Sequence, residues 1–146
     1  MSADTTSTTL AQQANLALQE KFGAAVNEGN LDQLDGLVAP NSVDHDPAPG
    51  QVPGPDGYKA FFTEMRTAFP DLAIAVEKTV ADEDTVAFAY TLTGTHTGPF
   101  QGHDATGKSI SVRGLQISRF EGGLLVERWG SSDEAGIMKQ LGLLPD

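Results

Sequence analysis

Two periods of apolar residues divide the chain. From Leu10 to Val26 the larger apolar residues Leu10, Leu18, Phe22 and Val26 fall mostly four apart, with Ala14 filling a gap, which predicts a helix with one buried stripe. Glu28-Gly29-Asn30 ends it, and Asn30 is placed to cap a second short helix through Leu31, Leu34 and Leu37, closed by Ala39-Pro40. Pro55 suits the first turn of a third helix, on which Tyr58, Phe61, Phe62, Met65 and Phe69 recur at three- and four-residue steps until Pro70-Asp71 stops it. From there the period falls to two. Leu72, Ile74 and Val76 alternate, then Val86, Phe88, Tyr90 and Leu92, then Ile110 and Val112, and later Leu115 and Ile117. A last strand from Leu124 to about Asp133 leads into a short helix bearing Ile137, Met138 and Leu141.

Turns fall at residues 81–84, 103–107 and 121–123. The stretch NSVDHDPAPGQVPGPDG, residues 41–57, holds four of the eight prolines and three glycines; it reads as a loop after a short strand, and so long a loop in a compact domain is usually functional. Four long strands joined by turns predict an antiparallel sheet, with the preceding helices packed on one face. The fold class is α+β: one domain over residues 10–146 behind a disordered tail, residues 1–9.

Charge and composition narrow the functions. Nine Lys and Arg against twenty Asp and Glu give a formal net charge of -11, which repels nucleic-acid phosphates and anionic lipid headgroups. Neither nucleic acid nor a membrane is an expected partner. With no cysteine, disulfides, thiolate metal sites and thiol nucleophiles are excluded. No signal-peptide pattern opens the chain and no apolar run nears the ~20 residues of a membrane span, so the expectation is a soluble, cytoplasmic protein. His45, Asp46, His96 and His103 lack metal-ligand spacing, and no phosphate-binding glycine loop exists. No metal and no cofactor are expected.

The run TGTHTGPFQGHDATGKSISVRGLQISRFEGGLLVERWGSSDEAGIMKQLGLLP, residues 93–145, resembles the SnoaL-like polyketide cyclases, or ester cyclases, of the nuclear transport factor 2-like superfamily. So do the VDHDPAPGQVPGPDG segment and Phe69-Pro70-Asp71. The resemblance spans about residues 10–145. It implies a cone-shaped barrel of curved antiparallel sheet, with three N-terminal helices on its concave face and a short helix at the end. It also implies a cofactor-free enzyme that closes a ring in a polyketide ester by intramolecular aldol condensation, acting on an apolar small molecule. The same fold hosts isomerases, epoxide hydrolases, hydroxylase-like enzymes and non-catalytic binding modules, which stay open as alternatives.

The family's acid/base aspartate follows a tryptophan near the chain's end, and the matching residue here is Asp133, four after Trp129. Ser131-x-x-Glu134 also has capping-box spacing and Asp133 is itself a favoured cap, so the same aspartate reads as a helix cap. If the last strand keeps its period of two, Trp129, Ser131 and Asp133 share one face, with the carboxylate at a cavity rim. His45 matches the family's pocket histidine and falls with Val43 on the inward side of a strand, or else is a turn histidine held by its aspartate neighbours. Gln116 and Arg113 are the polar candidates on the late strands. Phe62, Tyr90, Trp129 and His96 complete the expected substrate contacts, with His96 equally readable as a structural histidine. The alternating apolar residues on the sheet's convex face predict a homodimer or homotetramer.

Overall fold

The computed structural model describes residues 10–144; the N-terminal tail expected at residues 1–9 lies outside them. The elements run α1 (Leu10–Glu28), a 3₁₀ turn (Leu31–Gly36), β1 (Val38–Asp44), α2 (Pro55–Ala68), β2 (Ala73–Ala81), β3 (Thr85–Thr95), β4 (Ser109–Glu121), β5 (Leu124–Ser132) and α3 (Glu134–Leu141). The strands form one sheet in the order β1-β5-β4-β3-β2. Helices lie on one side, so the α+β expectation holds.

Three details depart from the sequence reading. The sheet is open and mixed, because β1 joins β5 in parallel whereas β2 to β5 form an antiparallel meander. Ala39-Pro40, expected to close a helix, lies inside β1; Pro40 is tolerated there because β1 is an edge strand, with no neighbour on its outer side. The second helix is a single 3₁₀ segment, and the Asn30 side chain makes no cap hydrogen bond.

The third helix follows the expected design. Pro55 occupies its first turn, and Tyr58, Met65 and Ala68 on its apolar face are buried, where they join Phe22, Val26, Phe69 and the sheet residues Val86, Phe88, Tyr90, Leu92, Ile110 and Val112 in one core. Helix α1 is pinned along the β2–β3 hairpin by side-chain amides. Asn15 Nδ2 donates to the Glu83 carbonyl at 2.8 Å, and Asn27 both accepts from Ile74 N, at 2.8 Å, and donates to its carbonyl, at 3.1 Å. The Asn27 bonds satisfy the backbone groups of Ile74 on β2, the other edge strand, the Asn15 bond satisfies the turn after it, and together they hold α1 over the sheet's inner face. Among the described residues no helix is long and apolar enough to cross a membrane.

Candidate active site

Between the helices and the sheet lies a cavity of about 1210 Å³, larger than the roughly 300–1,000 Å³ of an ordinary ligand pocket. Most of its wall is apolar: Leu16, Phe22 and Val26 of α1, Phe61, Phe62 and Met65 of α2, Phe88, Leu92 and Val112 of the sheet, and Ile137 and Met138 of α3. Pro99 to Gly102 close one side. They form a tight turn in which Phe100 and His103 exchange both backbone hydrogen bonds at 2.9 Å, with positive φ at Gln101 (49°) and Gly102 (79°), as a primed hairpin turn requires. The turn therefore falls just ahead of the 103–107 position expected from sequence.

One end of this apolar space is polar, and strand parity puts it there. On β4 the buried residues alternate through Ile110, Val112, Gly114, Gln116, Ser118 and Phe120, and the register pairs Ser118 with Arg128, Gln116 with Gly130 and Gly114 with Ser132. Arg128, Gly130 and Ser132 consequently face inward. The parallel pairing of β1 sets Asp44 beside Arg128. Arg128 Nη1 donates to both Asp44 oxygens at 3.0 and 3.1 Å, and Nε donates to Gln116 Oε1 at 2.9 Å. Gln116 Nε2 passes the chain on to Ser118 Oγ at 3.0 Å. Asp44 is completed by Gln51 Nε2 at 3.0 Å and the Asp46 N–H at 2.9 Å. A charge pair whose side chains are only 19% and 7% exposed needs such a set of partners to offset its desolvation.

Two glycines make room for this cluster. A Cβ on Gly130 would come within 2.4 Å of Arg128 Nη2, so the guanidinium lies along the bare backbone of β5. A Cβ on Gly114 would meet the Tyr90 hydroxyl at 2.3 Å. Burial raises the Tyr90 phenol, against the lowering influence of nearby Arg128. Burial also raises the Tyr58 phenol, with Asp44 adding to the shift and Arg128 opposing it. Both rings therefore keep their protons at neutral pH as hydrogen-bond donors. At the mouth the sign reverses, since Glu20, Glu64 and Glu134 line the cavity and are exposed.

The residues singled out from the sequence divide between the two sides of the sheet. Gln116, Phe62 and Tyr90 line the cavity. Trp129 faces the other way, contrary to the shared inward face expected for it, because the register that turns Gly130 toward Gln116 turns Trp129 toward Ile117 on the outer surface. His45 does share a side with Val43, which is 49% exposed, but that side is the outer one. Its ring stacks on Trp129, with centroids 4.7 Å apart and planes 10° from parallel, and its Nε2 bonds Glu127 Oε2 at 2.8 Å. The aspartates flanking it serve other partners: Asp44 holds Arg128, and Asp46 Oδ2 accepts from Gly130 N at 2.9 Å. Arg113 lies on the outer face near Glu77.

His96 is fully buried against Phe69 and Phe100 rather than lining the cavity. Its Nδ1 accepts from Thr106 N at 3.1 Å, so the histidine holds the 96–107 loop in place. Asp133 is the N-cap of α3, its Oδ1 accepting from Gly136 N at 2.8 Å. It is exposed, between Ser132 and Glu134, which do line the cavity. Among the described residues no three His, Cys, Asp or Glu side chains gather as a metal site.

Arg128 and Asp44 are the site residues that the sequence reading missed. Their pairing depends on a parallel contact across 84 residues, which no local pattern announces. The one available signal was parity: Arg128 stands two residues before Gly130 and four before Ser132, on whichever face Trp129 does not occupy.

The model of the SnoaL-like polyketide cyclases matches residues 16–141. Among solved structures, TsrD from Streptomyces laurentii is 29% identical with a TM-score of 0.84, the match covering 93% of this chain and all (100%) of that one. AclR from Streptomyces galilaeus, a candidate hydroxylase, is 33% identical with a TM-score of 0.77 over 89% of this chain and 85% of its own. IdmH from Streptomyces antibioticus, a candidate polyketide cyclase, is 30% identical with a TM-score of 0.74 over 92% and 99%. No curated protein matches the chain significantly. With a match running from α1 to the end of α3, and a fold shared over nearly the full length of these relatives, the chain belongs to the SnoaL-like polyketide cyclase family.

Proposed function

We propose that the chain is a cofactor-independent enzyme that performs acid/base chemistry on a polyketide-like or polycyclic molecule held in the cavity, with intramolecular aldol ring closure as the reaction. The observation that carries this is the cavity itself: about 1210 Å³, apolar over most of its wall, with a hydrogen-bonded cluster around Arg128 and Gln116 set into one part of it. Such a space suits a planar, weakly polar ligand of several fused rings, oriented by a few carbonyl or hydroxyl groups. Ring closure needs only proton transfers. A base removes a proton from carbon between two carbonyls, the enolate carbon attacks a third carbonyl of the same molecule, and the new alkoxide takes a proton back. Asp133 is the proposed acid/base group. It is exposed between two cavity-lining residues, Ser132 and Glu134; one carboxylate oxygen serves the cap and the other, Oδ2, has no hydrogen-bond partner among the described residues.

The substitution Asp133→Asn separates the roles, because asparagine caps a helix about as well but takes no proton. On a polyketide methyl ester, followed by product mass and absorbance, the variant should stay folded and lose ~10²- to 10⁴-fold in rate. Full activity would leave Asp133 as a cap alone.

The outer face of the sheet supports a second copy of the chain as partner. Val80, Ala87, Ile117 and Trp129 form one cross-strand row, with Leu115 62% and Ile117 42% exposed. Lys78, Arg113 and Arg119 stand on the same face as Glu77 and Glu127, a mixture of signs that can pair with itself across a two-fold axis. Sedimentation equilibrium should give a dimer or tetramer, and a 15.4 kDa species at micromolar concentration would overturn the assignment.

A further inference from the structure

The polar end of the cavity contains a donor that the protein leaves unused. Arg128 spends Nη1 on Asp44 and Nε on Gln116, while Nη2 has no hydrogen-bond partner among the described residues. The guanidinium cannot swing freely to find one. Two of its nitrogens are held from opposite elements, β1 and β4, and its plane lies on the bare face of Gly130. Tyr90 and Tyr58 both lie within its electrostatic influence. A fixed guanidinium whose Nη2 amino group is free, in the wall of an apolar cavity, is built to donate to an oxygen atom carrying negative charge.

The charges at the mouth say what kind of oxygen that is. Glu20, Glu64 and Glu134 are exposed around the entrance, on a chain of net charge -11. This field opposes entry by a ligand that is already an anion. A molecule that enters neutral escapes the repulsion and meets Arg128 only once inside. We propose that Arg128 is a catalytic residue whose Nη2 stabilises an oxyanion formed within the cavity, when a ligand that entered neutral gives up a proton there. In the step itself the O–H or C–H bond breaks heterolytically and the proton goes to the base. The electron pair rests on the oxygen that accepts from Nη2. Asp44 and Gln116 are positioning residues that aim the guanidinium.

This inference rests on the proposed enzyme reading, so its test is a binding measurement that needs no turnover. The probe is a naphthol, neutral at neutral pH, whose ionisation changes its absorbance; its methyl ether, which cannot ionise, reports cavity binding alone. Unlike Tyr90 and Tyr58, which make no hydrogen bond to Arg128 and whose phenols burial raises, a naphthol that accepts directly from Nη2 should ionise about 10- to 1000-fold more readily than in water, the range an opposite charge at contact produces. The methyl ether should bind with no such change. Arg128→Gln should abolish the shift. Because that change strands Asp44, the double variant Asp44→Asn with Arg128→Gln removes both charges together, keeps the fold testable by its melting curve, and should lack the shift equally. Arg128→Lys, which restores the charge without the fork, should recover part of it. A wild-type protein that binds naphthol with unaltered ionisation overturns the oxyanion assignment while leaving the enzyme reading to the ester assay. Persistence of the shift in the double variant overturns it too, and failure of both naphthol and ether to bind overturns it together with the cavity as a polycycle site.

Discussion

Successive residues of β5 serve opposite sides of the sheet, and the two sides are built on different principles. Inward, Arg128 and Gly130 belong to a cluster set among apolar walls, where the hydrogen bonds of Arg128 are made in partial burial. Outward, Glu127 and Trp129 carry an ion pair and an aromatic stack at the surface, with Glu127 bridging Arg119 Nε at 2.6 Å and His45 Nε2 at 2.8 Å. The contacts look alike on paper: each side has an arginine–carboxylate pair and an aromatic neighbour. Their consequences differ because solvent screens the outer pair more than the inner one. A conspicuous pair of residues such as His45 and Trp129 is thus poor evidence for an active site until the side of the sheet is known.

That contrast can be broken by removing one member of the ion pair on each side. Asp44→Ala leaves Arg128 without its counter-charge and should cost about 3 kcal/mol in urea unfolding, the low end for a broken buried pair because the guanidinium keeps some access to water. Arg119→Ala, which breaks the outer pair, should lower the urea midpoint by less than Asp44→Ala does. Equal losses would mean that the sides are electrostatically equivalent. A smaller effect sharpens the distinction from outside. His45→Ala removes the stack on Trp129 and should cost about 1 kcal/mol, shift the emission of the single tryptophan toward the red, and leave naphthol binding in the cavity unchanged. Weakened binding would place His45 in contact with the ligand after all.

The smallest effect is the response to acid. Hydrogen bonds from His45 and then Arg119 hold the Glu127 carboxyl below its ordinary value, and those from Thr95 do the same for Asp71. A carboxyl held low in the folded state favours folding above its unfolded value and loses that contribution as pH falls through the folded one. The urea midpoint should therefore decline below about pH 4, and Glu127→Gln should flatten the decline. An unchanged slope would show that Glu127 gains nothing from its partners.

The helices were legible because their signals are local. Pro55 at a first turn and aromatic residues at three- and four-residue steps fix α2 without reference to anything distant. The strands were legible as strands, but not always as to which side they bury. On β4 the apolar residues change sides partway: Ile110 and Val112 point in, Leu115 and Ile117 point out, with no bulge between them. Leu124-Leu125-Val126 offers no alternation at all. Only the pairing of β5 with β4 decides that Arg128, not Trp129, faces the cavity, and a sequence read alone does not contain that register. The parallel seam with β1 was illegible for a simpler reason: Pro40 reads as a stop, and the partner strand lies 84 residues away.

That seam has a consequence in time. The meander from β2 to β5 can assemble by pairing neighbours, whereas β1 must close a loop spanning most of the chain before Asp44 meets Arg128, and such distant contacts form slowly. During refolding the protein should pass through a stage in which hairpins are present but the ligand end of the cavity is not. Stopped-flow circular dichroism should then recover ahead of naphthol binding; recovery of both in a single phase would place the seam within the folding nucleus. If the order holds, a nascent chain of this protein has its sheet before it has its chemistry, and the first strand made is among the last to be used.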